Sequence, residues 1–219
     1  MRPEDVRQAY EERENEVNAR LQDFDRLRDS SDERLFKELV FVILTSQSSA
    51  KSSWEATEKL ESRDLLLDGD EEQVADVLAE NDVAYEDRKA SFIVENRKKL
   101  SQPTLVNPGT GLKLRDKIRP DDIDSTRDWL VDNLSGVGYK AASHFLRNIG
   151  YGDNVAIVSK HIIVKLNELG VVDSAEPPKN RAEYLRLERK LREFSKDIGV
   201  PLKELDLVLW SMETGEVFR

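Results

Sequence analysis

Apolar residues return at helical spacing along almost the whole chain, and no stretch alternates convincingly in the way a half-buried strand does. Val6, Tyr10, Val17, Leu21 and Leu27 recur among charges and predict a long amphipathic N-terminal helix. Ser31-Asp32 can cap a second helix, whose Leu35–Leu44 run is apolar enough to be buried on most sides. Shorter helices are predicted at Trp54–Leu60, Glu71–Leu78 and Ala90–Leu100. The clearest break runs from Ser101-Gln102-Pro103 to Gly109-Thr110-Gly111. Beyond it a helix starts near Pro120 and ends against Ser135-Gly136-Val137-Gly138. Further helices follow at Tyr139–Ile149, Ser159–Leu169, Arg181–Ile198 and from Pro201 to about Met212. The predicted fold is all-α, in two helical subdomains. Residues 1–30 form an N-terminal helix packing on the domain, 31–110 the first subdomain, 111–200 the second, and 201–219 a returning helix and tail.

The 219 residues suffice for a substantial core without metal or disulfide staples. The chain has no cysteine and two histidines, which excludes disulfide frameworks, thiolate zinc sites and a cysteine nucleophile. A metal site is not expected. No stretch approaches the length of a membrane span, and the first residues lack a signal-peptide core, so a cytoplasmic protein is expected. The net charge of −10 excludes a uniformly basic coat, so any nucleic-acid contact must come from a local patch.

The sharpest local feature is Leu134-Ser135-Gly136-Val137-Gly138-Tyr139-Lys140-Ala141-Ala142, in which two glycines join two helices. Glycines permit positive φ and close backbone approach. The turn leaves N–H groups at the start of a helix, at the positive end of its dipole, an arrangement that suits a phosphate. A plain helical turn is the alternative. Lys140 stands in the first turn of the second helix, where the dipole disfavours a cation. With partial desolvation its amine becomes neutral near pH 7 and able to form a Schiff base. A surface lysine touching a phosphate or a carboxylate is the other reading.

Residues Gly136 to Gly150, GVGYKAASHFLRNIG, resemble the central motif of the helix-hairpin-helix DNA glycosylases, nearest to the archaeal and bacterial 8-oxoguanine DNA glycosylase/AP lyase type 2 family. Phe41–Ala50, Arg88–Val94, Glu204–Trp210 and Thr214–Val217 resemble other family segments in the same order, so that the similarity spans roughly residues 30 to 219. The resemblance implies base excision from double-stranded DNA containing 8-oxoguanine or abasic sites, by a monomer without a cofactor, associated with the nucleoid when bound. Lys140 would be the nucleophile that attacks the sugar, with β-elimination nicking the strand. Gly136 and Gly138 would hold the DNA phosphate through backbone N–H groups, with no metal in the chemistry, and the target base would be turned out of the stack. Gln47 and Trp210 would contact the disrupted helix or the extruded base; ordinary capping and core roles are their alternatives. A terminal carboxylate on Arg219 would help distinguish the lesion from guanine.

The pattern departs from the family at one catalytic position. Family members read like A-I-L-D-R-H-I where this chain has Ala156-Ile157-Val158-Ser159-Lys160-His161-Ile162, so Ser159 occupies the place of an aspartate that assists departure of the base. Serine can cap a helix but supplies no negative charge. Three readings stand: a weakened or non-catalytic lesion-binding protein, an enzyme using another acid (Asp153 before Asp206), or one acting on easily released bases and abasic sites. His161 is expected to pack against the hairpin helix rather than bind metal.

Overall fold

The computed structural model describes residues 1–102 and 111–219, which contain eleven α-helices and no strand. The helices are α1 (Pro3–Leu27), α2 (Asp32–Leu44), α3 (Ala50–Ser62), α4 (Leu65–Asp68), α5 (Glu71–Glu80), α6 (Glu86–Leu100), α7 (Ile123–Asn133), α8 (Tyr139–Asn148), α9 (Lys160–Glu168), α10 (Arg181–Ile198) and α11 (Leu202–Thr214). Of the break read from Ser101 to Gly111, residues 103–110, and with them the predicted boundary after residue 110, lie outside the described residues.

The chain forms two compact units. One is continuous, Asp29–Phe145; the other joins Met1–Arg28 to Leu146–Arg219. In the continuous unit α2 is the central element. Every residue from Leu35 to Leu44 is buried, Lys37 and Glu38 included. α3 and α6 pack on α2, and α5 on α3 and α6. In the other unit α11 packs against α1, α9 and α10. Among the described residues no helix is long and apolar enough to cross a membrane.

Local chemistry sets the ends of these helices and explains where they depart from the periodicity. α3 starts at Ala50, four residues before Trp54, because the Ser49 side chain accepts from Ser52 N–H at 2.9 Å. α5 carries a capping box between Asp70 and Gln73. α6 starts at Glu86, before its apolar face begins, with Tyr85 in the left-handed region as its N-cap. α7 is capped by Asp122, which accepts from Ser125 N–H at 3.0 Å, so the helix begins after Pro120 rather than on it. The single turn α4 has no apolar period to betray it. It follows Asp64, a residue at φ 59°.

Candidate active site

The hairpin is built in the continuous unit. α7 ends at Asn133, with Leu134 as its C-cap, and α8 opens at Tyr139. Between them Asn96, buried on α6, clasps Ser135 twice: its Nδ2 donates to the Ser135 carbonyl at 2.9 Å, and its Oδ1 accepts from Ser135 N–H at 2.8 Å. Tyr139 donates its hydroxyl to Asp128 at 2.9 Å and ties the second helix back to the first.

The two glycines serve different ends. Gly136 has φ +76°, and a Cβ there would lie 2.4 Å from the Phe92 ring, so both backbone conformation and packing demand glycine. At Gly138 φ is not in the left-handed region and a Cβ would meet nothing within 4 Å. Of the two, only Gly136 is in the left-handed region. Gly136→Ala is expected to destabilise the protein by about 2 kcal/mol or more, from strain and overpacking. Gly138→Ala should change stability by less than about 1 kcal/mol, since only a cap preference is altered. Thermal melts of the two variants check the contrast.

α8 meets α2 at His144, which is edge-on to Phe41 at 5.6 Å. Lys140 is one turn before His144 and Thr45 one turn after Phe41, so the same crossing brings these two together. The Lys140 amine is 3.0 Å from Thr45 Oγ1. Thr45 in turn donates its hydroxyl to the Val42 carbonyl at 2.8 Å. Among the described residues no carboxylate bonds to the amine. Burial pulls its pKa down to about 8, far below the ordinary lysine value. A second lysine, Lys89 on α6, is 4% exposed. Its amine donates to the carbonyls of Leu44 at 2.9 Å and Ser46 at 2.6 Å, and to Ser48 Oγ at 3.1 Å. Burial, and the nearby Lys140 charge, lower its pKa to about 8 as well.

Beside the hairpin opens a cavity of about 550 Å³, whose walls include Gln47, Tyr85, Arg88, Lys89, Phe92 and Gly138. Gln47 is at φ 56° and accepts a hydrogen bond from the Tyr85 hydroxyl at 3.3 Å. Tyr85, also left-handed, is 57% exposed. The Arg88 guanidinium lies over the Phe92 ring at 5.4 Å. The sequence reading expects Gln47, Gly136, Gly138 and Lys140 at the site, and the first three line this cavity. It missed Thr45, Tyr85 and Asn96, and it assigned no role to Lys89. The polar run Thr45–Ser49 after an apolar helix was the available signal for the first.

Ser159, Trp210 and Arg219 belong to the other unit. Ser159 is the N-cap of α9, its side chain accepting from Ile162 N–H at 3.3 Å. The apolar segment Val155–Val158 leading to it is held by α10. Glu188 accepts from Ala156 N–H at 2.8 Å, while the Tyr184 hydroxyl donates to the Ala156 carbonyl at 2.7 Å and accepts from Val158 N–H at 3.1 Å. Trp210, on α11, is half-buried and has His161 edge-on at 5.6 Å. His161 Nδ1 is also 3.0 Å from Glu213 Oε1. Its partners therefore lie on α11, where the sequence reading expected the hairpin helix. The Arg219 guanidinium sits over Phe24 at 5.7 Å. Of the two carboxylates considered as substitutes, Asp153 is at the surface, with Lys203 at 2.9 Å. Asp206 is 3.1 Å from Arg147, which is only 2% exposed, and burial raises its pKa against the pull of that cation. Among the described residues no group of three or more His, Asp or Glu could hold a metal ion.

Two helices joined by a two-glycine hairpin in an all-helical fold make this a helix-hairpin-helix protein, with a lysine of lowered pKa beside the hairpin. A family profile described as 8-oxoguanine DNA glycosylase matches residues 17–200. The chain belongs to that family. The 8-oxoguanine DNA glycosylase/AP lyase of Korarchaeum cryptofilum is 41% identical over 203 residues, 93% of this chain and 90% of the relative. That of Fusobacterium nucleatum is 32% identical over 216 residues, 98% of this chain and 96% of the relative. Among solved structures, the 8-oxoguanine DNA glycosylase of Thermotoga maritima superposes with a TM-score of 0.85 at 32% identity, covering 99% of this chain and 98% of that one. The Methanocaldococcus jannaschii 8-oxoguanine glycosylase/lyase, in complex with a 15mer DNA containing 8-oxoguanine, gives 0.83 at 30% identity, covering 98% and 99%.

Proposed function

We propose that the protein is a base-excision-repair enzyme, a DNA glycosylase that removes 8-oxoguanine and an AP lyase that nicks the resulting site. The observation that carries this reading is the Lys140 amine, buried beside the hairpin, held by a hydroxyl rather than a carboxylate, with a pKa of about 8. Its neutral form attacks C1′ of the damaged nucleotide. The N–C1′ bond forms as the glycosidic bond breaks, and the base leaves with that bond's electron pair and gains a proton. Ring opening gives a Schiff base, and loss of a C2′ proton expels the 3′ phosphate.

Gly138 admits the DNA backbone to the first turn of α8, which accounts for a glycine where the fold itself has room for a side chain. Gln47 contacts the opened duplex or the extruded base, Trp210 stacks on that base, and the terminal carboxylate of Arg219 helps tell the lesion from guanine. Ser159 takes the place of the family aspartate. Of the two other acids, Asp206 is paired with Arg147 and Asp153 with Lys203 at the surface. The enzyme acts as a monomer in the cytoplasm, at the nucleoid when bound.

Borohydride trapping on lesion-containing duplex tests the reading. Wild-type protein should give a covalent adduct, and Lys140→Gln should abolish it while still binding the duplex; equal trapping by both refutes the assignment. Ser159 favours a second reading, a lesion-binding protein without chemistry. That reading predicts salt-sensitive binding with no base release after long incubation.

A further inference from the structure

The last carbonyls of a helix have no partner within it and need one from elsewhere. At the end of α2 the partner is Lys89, which reaches the carbonyls of Leu44 and Ser46 and the hydroxyl of Ser48. A charged amine has three protons, and here all three are engaged, so Lys89 has none left to offer a phosphate. A cation is well placed at this negative end of the helix dipole. The two carbonyls it grips flank Thr45 on either side. Lys89 therefore clamps the residue that holds the Lys140 amine.

Thr45 has one hydroxyl proton, directed at the Val42 carbonyl. Only its lone pairs remain, so in the 3.0 Å contact Lys140 is the donor and Thr45 the acceptor. A neutral amine that spends one N–H on Thr45 has its lone pair confined to the remaining tetrahedral positions. The hydroxyl thus decides where the nucleophile's electrons can point, in a side chain with four rotatable bonds.

We propose that Thr45 is a positioning residue for the Lys140 amine, and that Lys89 acts through Thr45 by fixing the turn that carries it. The inference rests on the reading of Lys140 as the nucleophile.

Single-turnover strand cleavage of an abasic-site duplex at saturating protein, with duplex affinity measured separately, tests it. Thr45→Val should lower the cleavage rate about tenfold and leave affinity within about twofold, because an orienting bond is lost and no DNA contact. Thr45→Ser, which keeps the acceptor, should stay within about threefold of wild type. Lys89→Met should slow cleavage similarly, and the Thr45→Val, Lys89→Met pair should be no slower than the slower single variant, since both remove the same restraint. If Lys89→Met does not fold, the two Thr45 variants decide the matter alone. A wild-type rate in Thr45→Val, a loss that falls on affinity, a Thr45→Ser as slow as Thr45→Val, or losses that multiply in the double variant overturns the proposal. Lys140→Gln in the same assay separates the two inferences. If it cleaves like wild type, the enzymatic reading fails; if it is inactive while the Thr45 variants are unimpaired, only the positioning role fails.

Discussion

Ser159→Asp is expected to raise single-turnover release of 8-oxoguanine by about a hundredfold, the scale on which a preorganised charge in an active site acts. The substitution is well suited to isolate charge. Aspartate caps helices as serine does, so the bond from Ile162 N–H survives and α9 keeps its start. The preceding Val155–Val158 segment stays pinned by Tyr184 and Glu188, whatever stands at position 159. Melting should shift by less than about 1 kcal/mol in stability. Cleavage at a pre-formed abasic site should respond less, because no base has to depart. Unchanged excision in Ser159→Asp would mean that the missing carboxylate was not limiting, and would direct attention to Asp206.

The second large effect is on pH. Only the unprotonated Lys140 amine is nucleophilic, and burial sets its pKa at about 8. At pH 7 about a tenth of the protein then carries a neutral amine, roughly 300 times the share an ordinary lysine offers. Single-turnover strand cleavage should therefore fall about tenfold for each pH unit below 8 and level off above it. Stability rises with pH as well, but over the range above that at which cleavage levels off. The folded state binds the Lys140 proton less tightly than the unfolded chain, so the penalty for its burial is complete below about pH 8 and disappears as the pH rises toward the ordinary lysine value. Lys140→Gln should consequently be inactive yet more stable than wild type at neutral pH, on the order of 1 kcal/mol, the part of the side chain open to solvent keeping the gain small. A cleavage profile flat from acid to alkaline pH, or a destabilised Lys140→Gln, would contradict the buried-amine mechanism.

The candidate site is a local motif completed by distant residues, and the two differ in how far the sequence discloses them. The apolar run of α2, the amphipathic faces of α1 and α10, and the stop at Gly150 are properties of short segments, set by helical period and backbone preference. The hairpin and its lysine are equally local, since Gly136, Gly138 and Lys140 lie within five consecutive residues. Where the period is silent, reading by pattern fails: α4 is one turn, and α3 and α6 begin at a capping serine and a left-handed tyrosine, ahead of their apolar faces.

What makes Lys140 chemically unusual comes from far along the chain. Thr45 is 95 residues away from it, and Asn96, which clasps the hairpin, is 39 residues from Ser135. Those approaches depend on α6 and α8 packing against α2, and no spacing in a linear pattern encodes which helix faces meet. The sequence by itself determined the helices, the glycine elbow and the lysine on it. The tertiary structure alone decided that this lysine is desolvated and that a threonine holds it, because burial and hydrogen-bond partners arise only when separate helices close around one amine.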